Sequence, residues 1–365
     1  MAAFCDTVAQ PPPALPSHHR EARFHELVSS RDGGVGPALL RVCLSALSVP
    51  YAAGVHVRNW LFDQEWKRVH RAAVPVVSIG NLTLGGTGKT PAVEFVARFY
   101  RQLGERVGIL SRGYGAWQGR NDEALELEAN LPGVPHLQGA DRVALARTAV
   151  EKCNCELLIL DDGFQHRRLQ RDLDIVLIDA TNPWGFHRLF PRGLLREPKS
   201  NLRRASLVLL TRCDQVGNDL LEELREEVDR IAPDRPIVES IHAPLRLVNE
   251  DREAPLALLG GKPVAAFSGI GNPTAFRRTL EGLDAILTAV ATFPDHHPYP
   301  SADVEWLKAW ARRLPSNAVI VTTQKDLVKI RLHELGDRPV WALQVALTPT
   351  RGQDALHRLL EGILA

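Results

Sequence analysis

Gly85, Gly86, Thr87, Gly88, Lys89 and Thr90 follow directly on the apolar run Val74–Gly80, so a strand candidate feeds a glycine-rich turn that ends in Gly-Lys-Thr. Those residue types suit a nucleoside triphosphate. The glycines let backbone N–H groups close around phosphate oxygens, Lys89 offers a point charge to the outer phosphates, and the Thr90 hydroxyl suits a magnesium ion. Thr83 stands where a strict phosphate loop has its first glycine, so the turn is a variant. Thr83, Gly85, Gly86, Thr87, Gly88, Lys89 and Thr90 are assigned to the nucleotide.

A second run, Leu157-Leu158-Ile159-Leu160-Asp161-Asp162, ends four apolar residues in paired acids, and Gly163-Phe164-Gln165-His166 follows. A buried strand of this kind delivers a carboxylate to the ion held by Thr90, directly or through water. The metal set is therefore Thr90, Asp161 and Asp162, with Gln165 at the same mouth. A plain Asp-Asp-Gly turn is the competing reading. Two further stretches are open: the proline-bracketed loop Phe293-Pro294-Asp295-His296-His297-Pro298-Tyr299, whose histidines suit proton chemistry or a solvated loop, and Asn121-Asp122-Glu123, an acidic stretch without meaning by itself.

The elements that must position these residues alternate strand and helix. Strands are expected at 74–80, 106–110, 156–161, 174–179 and 206–211, and a helix over 88–102 begins with Pro91 near its start. Continuous apolar strands separated by helices imply an α/β fold, a P-loop-type parallel sheet covered on both faces, with ligands at the carboxyl ends of its strands. Prolines 233, 236, 244 and 255 and Gly260-Gly261 break the periodicity. We expect the phosphate-loop domain at 72–235, a linker at 236–262 and a second, smaller α/β domain at 263–365, with strands at 263–267, 286–290 and 318–322 and a closing helix near 351–364.

At 365 residues and 45% hydrophobic composition the chain can bury a large core, and its net charge of +1 gives no field for nucleic acid, which is not expected as a partner. Five cysteines without Cys-x-x-Cys spacing argue against a disulfide framework or structural zinc and suit a reducing compartment. Residues 1–22 read as a disordered tail. Segment 23–71 carries an apolar helical stripe, Leu39, Leu40, Cys43, Leu44 and Leu47, beside Trp60, Trp66 and several arginines. Its uncharged run, Val42 to Val55, falls short of the ~20 residues that span a bilayer, leaving an interfacial helix or a helix packed on the protein's own core.

Taken together the motifs resemble the tetraacyldisaccharide 4′-kinases. The matching stretches are Ser78–Pro91, Leu110-Ser111-Arg112-Gly113-Tyr114-Gly115, Asp161–His166, Gly193-Leu194-Leu195-Arg196-Glu197-Pro198, Phe267–Pro273, Phe293–Tyr299 and Thr322–Lys329, in the family's order. The resemblance implies two α/β domains joined by a short strand linker with the active site in the cleft, ATP and Mg2+ as cofactors, and transfer of the γ-phosphoryl group to the 4′-hydroxyl of a lipid disaccharide 1-phosphate. It implies a peripheral enzyme on the cytoplasmic face of the inner membrane, met through its amino-terminal helix. It places Lys89 among the catalytic residues, Asp122 as the base toward the sugar hydroxyl and His296 as its support. Asn121 and Ala124 depart from the family's Gly-Asp-Glu-Pro pattern around Asp122. Thr322 to Lys329 is expected near base or ribose. The competing reading is a nucleotide-switched, membrane-associated P-loop ATPase or GTPase. Leu84 stands where a partitioning ATPase has its extra lysine, and no Asn-Lys-x-Asp guanine reader is present.

Overall fold

The computed structural model describes residues 34–113, 122–250 and 252–364, together with Phe24, Leu27 and Ser29. The expected tail at 1–22, and Tyr114, Gly115 and Asn121 of the quoted motifs, lie outside the described residues. The elements, in chain order, are α1 (Val35–Asp63), β1 (Val76–Asn81), α2 (Lys89–Gln102), β2 (Val107–Ser111), α3 (Asp122–Asn130), β3 (His136–Gln138), α4 (Arg142–Cys153), β4 (Leu157–Asp161), β5 (Leu173–Asp179), β6 (Leu207–Thr211) and α5 (Asn218–Ile231). After these come β7 (Ile237–Asn249), β8 (Arg252–Ala254), β9 (Pro263–Ser268), α6 (Pro273–Glu281), β10 (Ile286–Thr292), α7 (Ser301–Arg312), β11 (Val319–Thr323), α8 (Gln324–Ile330), β12 (Val340–Arg351) and α9 (Gln353–Gly362).

Two compact units result: Phe24–His242 with Leu347–Ala365, and Ala243–Ala346. In the first, the strands run in the order β3-β2-β4-β1-β5-β6-β7, and the pairs from β3 through β7 are parallel. Both faces are covered, as continuous apolar strands require, because successive side chains point to opposite sides. Ile175, Leu177, Leu207 and Leu209 join Val93, Val96, Tyr100, Leu356 and Leu360 on one face. Val176, Ile178, Val208 and Leu210 pack with Phe164, Leu202, Leu221 and Leu224 on the other.

In the second unit the order is β10-β9-β11-β12-β7, with β8 antiparallel on β7. Phe267, Ile320 and Ala342 pack beneath Trp310 and Leu307, while Val264, Ala266 and Val321 face Leu280.

The expected linker segment 236–262 contains a 13-residue strand, β7, with Pro244 inside it and Pro233, Pro236 and Pro255 outside. One expectation changes. The closing helix does not complete the second unit. β12, absent from the sequence reading, returns the chain to the first unit, where Leu356 and Leu360 enter the core and Tyr100 Oη donates to the Leu360 carbonyl at 2.8 Å.

Helix α1 continues through Pro50 for 29 residues, and it is long and apolar enough to cross a membrane by length and composition. The uncharged run of 14 residues underestimated it, because the flanking turns extend the apolar window. No residue of that window is buried, and Leu39, Leu40, Val42, Leu47 and Val49 are exposed. The carboxyl half packs instead: Val55, Asn59 and Phe62 are buried, Tyr51 Oη donates to the Arg196 carbonyl at 2.9 Å, and Arg58 meets Glu197 at 2.5 Å.

Candidate active site

Strand β1 ends inside the sheet, and the chain leaves it through Leu82–Thr87 before α2 begins at Lys89. Two backbone requirements shape this turn. Gly85 and Gly88 hold φ of +108° and +89°, a region that side chains rarely adopt, and a Cβ on Gly88 would stand 2.5 Å from His242 Nε2. Hydrogen bonds then fix the loop from both sides. Asn81 Nδ2 donates to Thr87 Oγ1 at 2.9 Å, and Thr211 Oγ1, at the end of β6, donates to the Thr87 carbonyl at 2.9 Å. The loop therefore presents the first turn of a 14-residue helix, the end at which backbone N–H groups face an anion. Lys89 and Thr90 occupy that first turn, and Gly85 and Gly86 are exposed beside it. Thr83 is buried and bridges to Leu195.

Strand β4, paired with β1, delivers Asp161 and Asp162 to the same end. The two carboxylates differ. Asp161 is 5% exposed, its Oδ1 has no hydrogen-bond partner, and burial together with the Glu123 charge pushes its carboxyl up to about 7 against the pull of Lys89. Asp162 adopts φ of +51° and faces cations: Arg196 Nη1 lies 2.9 and 2.7 Å from its two oxygens, and Lys89 Nζ lies 3.7 Å away. Burial opposes its charge, yet Lys89 and Arg196 hold this carboxyl well below the usual range. Gln165 Nε2 donates to the Asn81 carbonyl at 2.9 Å, and Arg196 reaches Gln165 Oε1 at 3.4 Å. Beneath Asp161, the buried Arg142 donates to its carbonyl at 3.4 Å, and burial lowers the guanidinium's proton affinity. Lys89, Asp161, Asp162, Gln165 and Arg196 are thus brought together at one mouth.

A magnesium ion fits these residues. Asp161 offers a buried carboxylate oxygen that no protein donor satisfies. Magnesium takes one or two carboxylates and completes its shell with water and phosphate.

Asp122 opens α3 and is 9% exposed; the Glu123 N–H donates to its Oδ1 at 3.1 Å. In the other unit, His296 lies in the loop after β10 with φ of +57°, Asp295 at its side and Lys325 Nζ 3.4 Å from its Nε2. The adjacent His297 is buried and bonds to Asp303 at 2.6 Å, stacked on Phe293. Sequence reasoning gave no role to Arg142, Arg196 or His242. Arg196 stood inside a quoted motif, whereas nothing local marks the other two.

The chain matches the family model described as Tetraacyldisaccharide-1-P 4'-kinase over residues 40–365. It is 42% identical over 356 residues to a tetraacyldisaccharide 4'-kinase of Anaeromyxobacter sp. (strain K), covering 92% of this chain and 93% of that one. A namesake in Syntrophus aciditrophicus is 38% identical, covering 87% and 92%. Among solved structures, LpxK from Aquifex aeolicus in complex with ATP superposes with a TM-score of 0.71 at 32% identity, covering 89% of this chain and all of that one. A phosphate-loop sheet with acids at the neighbouring strand end, and a match that runs through both units to the last residue, leave one assignment: this chain belongs to the tetraacyldisaccharide-1-P 4′-kinase family.

Proposed function

We propose that this chain transfers the γ-phosphoryl group of ATP to the 4′-hydroxyl of a tetraacyldisaccharide 1-phosphate, a step of lipid A assembly. The observation that carries the site reading is the cation and carboxylate arrangement around Asp162, where Lys89 and Arg196 converge beside the helix start. Phosphoryl transfer asks mainly for positioning and for neutralisation of charge on the transferring group. Lys89 and Arg196 supply positive charge, and Asp162 keeps both side chains aimed at the mouth. Gly85, Gly86, Thr87, Gly88 and Lys89 bind the phosphates through backbone N–H groups, Thr83 closes the loop's base, and Gln165 braces the exit of β1.

Thr90 and Asp161 would hold Mg2+ directly, and Asp162, whose oxygens already serve Arg196, would join through water. The ion supplies further neutralisation of phosphate charge. Asp122 takes the proton of the 4′-hydroxyl as its oxygen bonds to the γ-phosphorus and the bond to the β-phosphate oxygen breaks, with His296 in support. The exposed amino-terminal half of α1 supports peripheral association with the cytoplasmic face of the inner membrane, through which the lipid acceptor is met.

The test is transfer of labelled γ-phosphate from ATP to tetraacyldisaccharide 1-phosphate in mixed micelles. Product from wild type, lost in Lys89→Ala and Asp122→Ala, is expected. ATP hydrolysis indifferent to lipid, with no labelled lipid, would return the reading to a nucleotide switch.

A further inference from the structure

The loop bearing His296 is braced by α8. Lys325 Nζ donates to Asp295 Oδ1 at 3.1 Å and lies 3.4 Å from His296 Nε2. An ammonium group has no acceptor, so a hydrogen bond across that contact has the imidazole nitrogen accepting, and Nε2 also lies 3.9 Å from Asp295 Oδ2. Asp295 Oδ1 also receives the His296 backbone N–H at 2.9 Å, closing a three-residue arrangement around the left-handed His296. A non-glycine residue in that conformation is strained and persists only where its neighbours determine it.

The brace is itself fixed. The Lys325 side chain is 15% exposed. The next residue, Asp326, is fully buried; it accepts the Gly269 N–H at 3.0 Å and the Thr323 hydroxyl at 2.7 Å, and pairs with Lys329 at 3.2 Å. Helix α8 cannot shift Lys325 without breaking these bonds.

We propose that Lys325 is a positioning residue for phosphoryl transfer: it holds the Asp295 carboxylate and the His296 ring in place. The inference rests on the reading above that His296 takes part in the reaction. It deepens that reading by naming the side chain that fixes where the His296 ring stands.

The experiment is steady-state transfer in mixed micelles with Lys325→Met, Lys325→Arg, His296→Ala and the double variant Lys325→Met/His296→Ala, each checked for an unaltered melting temperature. Lys325→Met is expected to lower kcat about tenfold with the KM for ATP within about twofold of wild type, and Lys325→Arg to recover most of that loss. The double variant should be no more than about twofold slower than His296→Ala, since the lysine acts through the histidine. Wild-type kcat in Lys325→Met beside a slow His296→Ala would overturn the inference and leave the site reading standing. So would a change confined to the KM for ATP, or a full further loss in the double variant. Wild-type kcat in His296→Ala would overturn the reading of His296, and the inference with it.

Discussion

Removing the Glu197 carboxylate tests the junction between α1 and the catalytic unit. Glu197 is 1% exposed and meets Arg58 and Arg204 at 2.5 Å each, with Asn201 Nδ2 at 2.8 Å and Asn59 Nδ2 at 3.4 Å. The two arginine side chains are 35% and 19% exposed, so Arg58 is the more hydrated cation. Glu197→Ala leaves both guanidiniums facing each other without a counter-charge, a loss of about 3–5 kcal/mol for a broken buried pair. Arg58→Ala leaves Glu197 with Arg204 and both amides, so its cost falls toward the ~1 kcal/mol of exposed pairs. For a unit of this size each kcal/mol moves Tm by about 2–4 °C, which puts Glu197→Ala on the order of 10 °C below wild type and Arg58→Ala about 3 °C below. Thermal unfolding in detergent, followed by circular dichroism, would read both. The adjacent Arg196 gives an activity readout as well, because its carbonyl receives Tyr51 and its guanidinium holds Asp162. Equal shifts for the two variants, or a shift below about 2 °C for Glu197→Ala, would refute a buried carboxylate as the anchor of α1.

Asp161→Asn exchanges a buried carboxylate with an unpartnered oxygen for a neutral amide. It should leave the melting temperature equal or higher while abolishing the Mg2+ dependence of ATP affinity, as calorimetry with and without EDTA would show; a normal Mg2+ dependence would remove Asp161 from the metal set. Burial, then Arg212, lowers the His242 imidazole from 6.5 to about 3. The unfolded chain therefore binds the proton first as pH falls. The contribution is intact above pH 6.5 and drains by about 1.4 kcal/mol per pH unit between there and pH 3, a slope that His242→Gln should flatten in urea titrations. Deleting residues 1–47 removes the exposed half of α1, with buried Leu27 and the Phe24–Phe190 contact, and spares the Tyr51, Arg58 and Glu197 contacts, so sedimentation with anionic vesicles should fall while the melting temperature drops only slightly; undiminished sedimentation would assign membrane contact elsewhere.

What was legible in the chain was local. Val74–Thr90 and Leu157–Asp162 each carry strand, turn and chemistry within a few residues, and β1, β4, β5, β6, β9, β10 and β11 fall within two residues of expectation at nearly every boundary. The parallel α/β sheet followed from that pattern, since strands apolar on both faces have to be covered twice. What escaped depends on partners distant in sequence. Arg196 joins the site because Asp162 lies 34 residues earlier, and Arg142 because the chain end of β4 passes over it 19 residues later. Single-residue reading also treats neighbouring acids alike, whereas burial raises Asp161 and two cations depress Asp162. The same cause misplaced the carboxyl terminus: α9 has the periodicity of any amphipathic helix, and only β12, running out of one unit into the other, decides which core it covers. Lys325 marks the limit most sharply. In sequence it is one polar residue of a short helix start, fit for base or ribose, and its position against Asp295 and His296 exists only because Asp326, one residue on, is buried under Gly269 and fixes the helix that presents it.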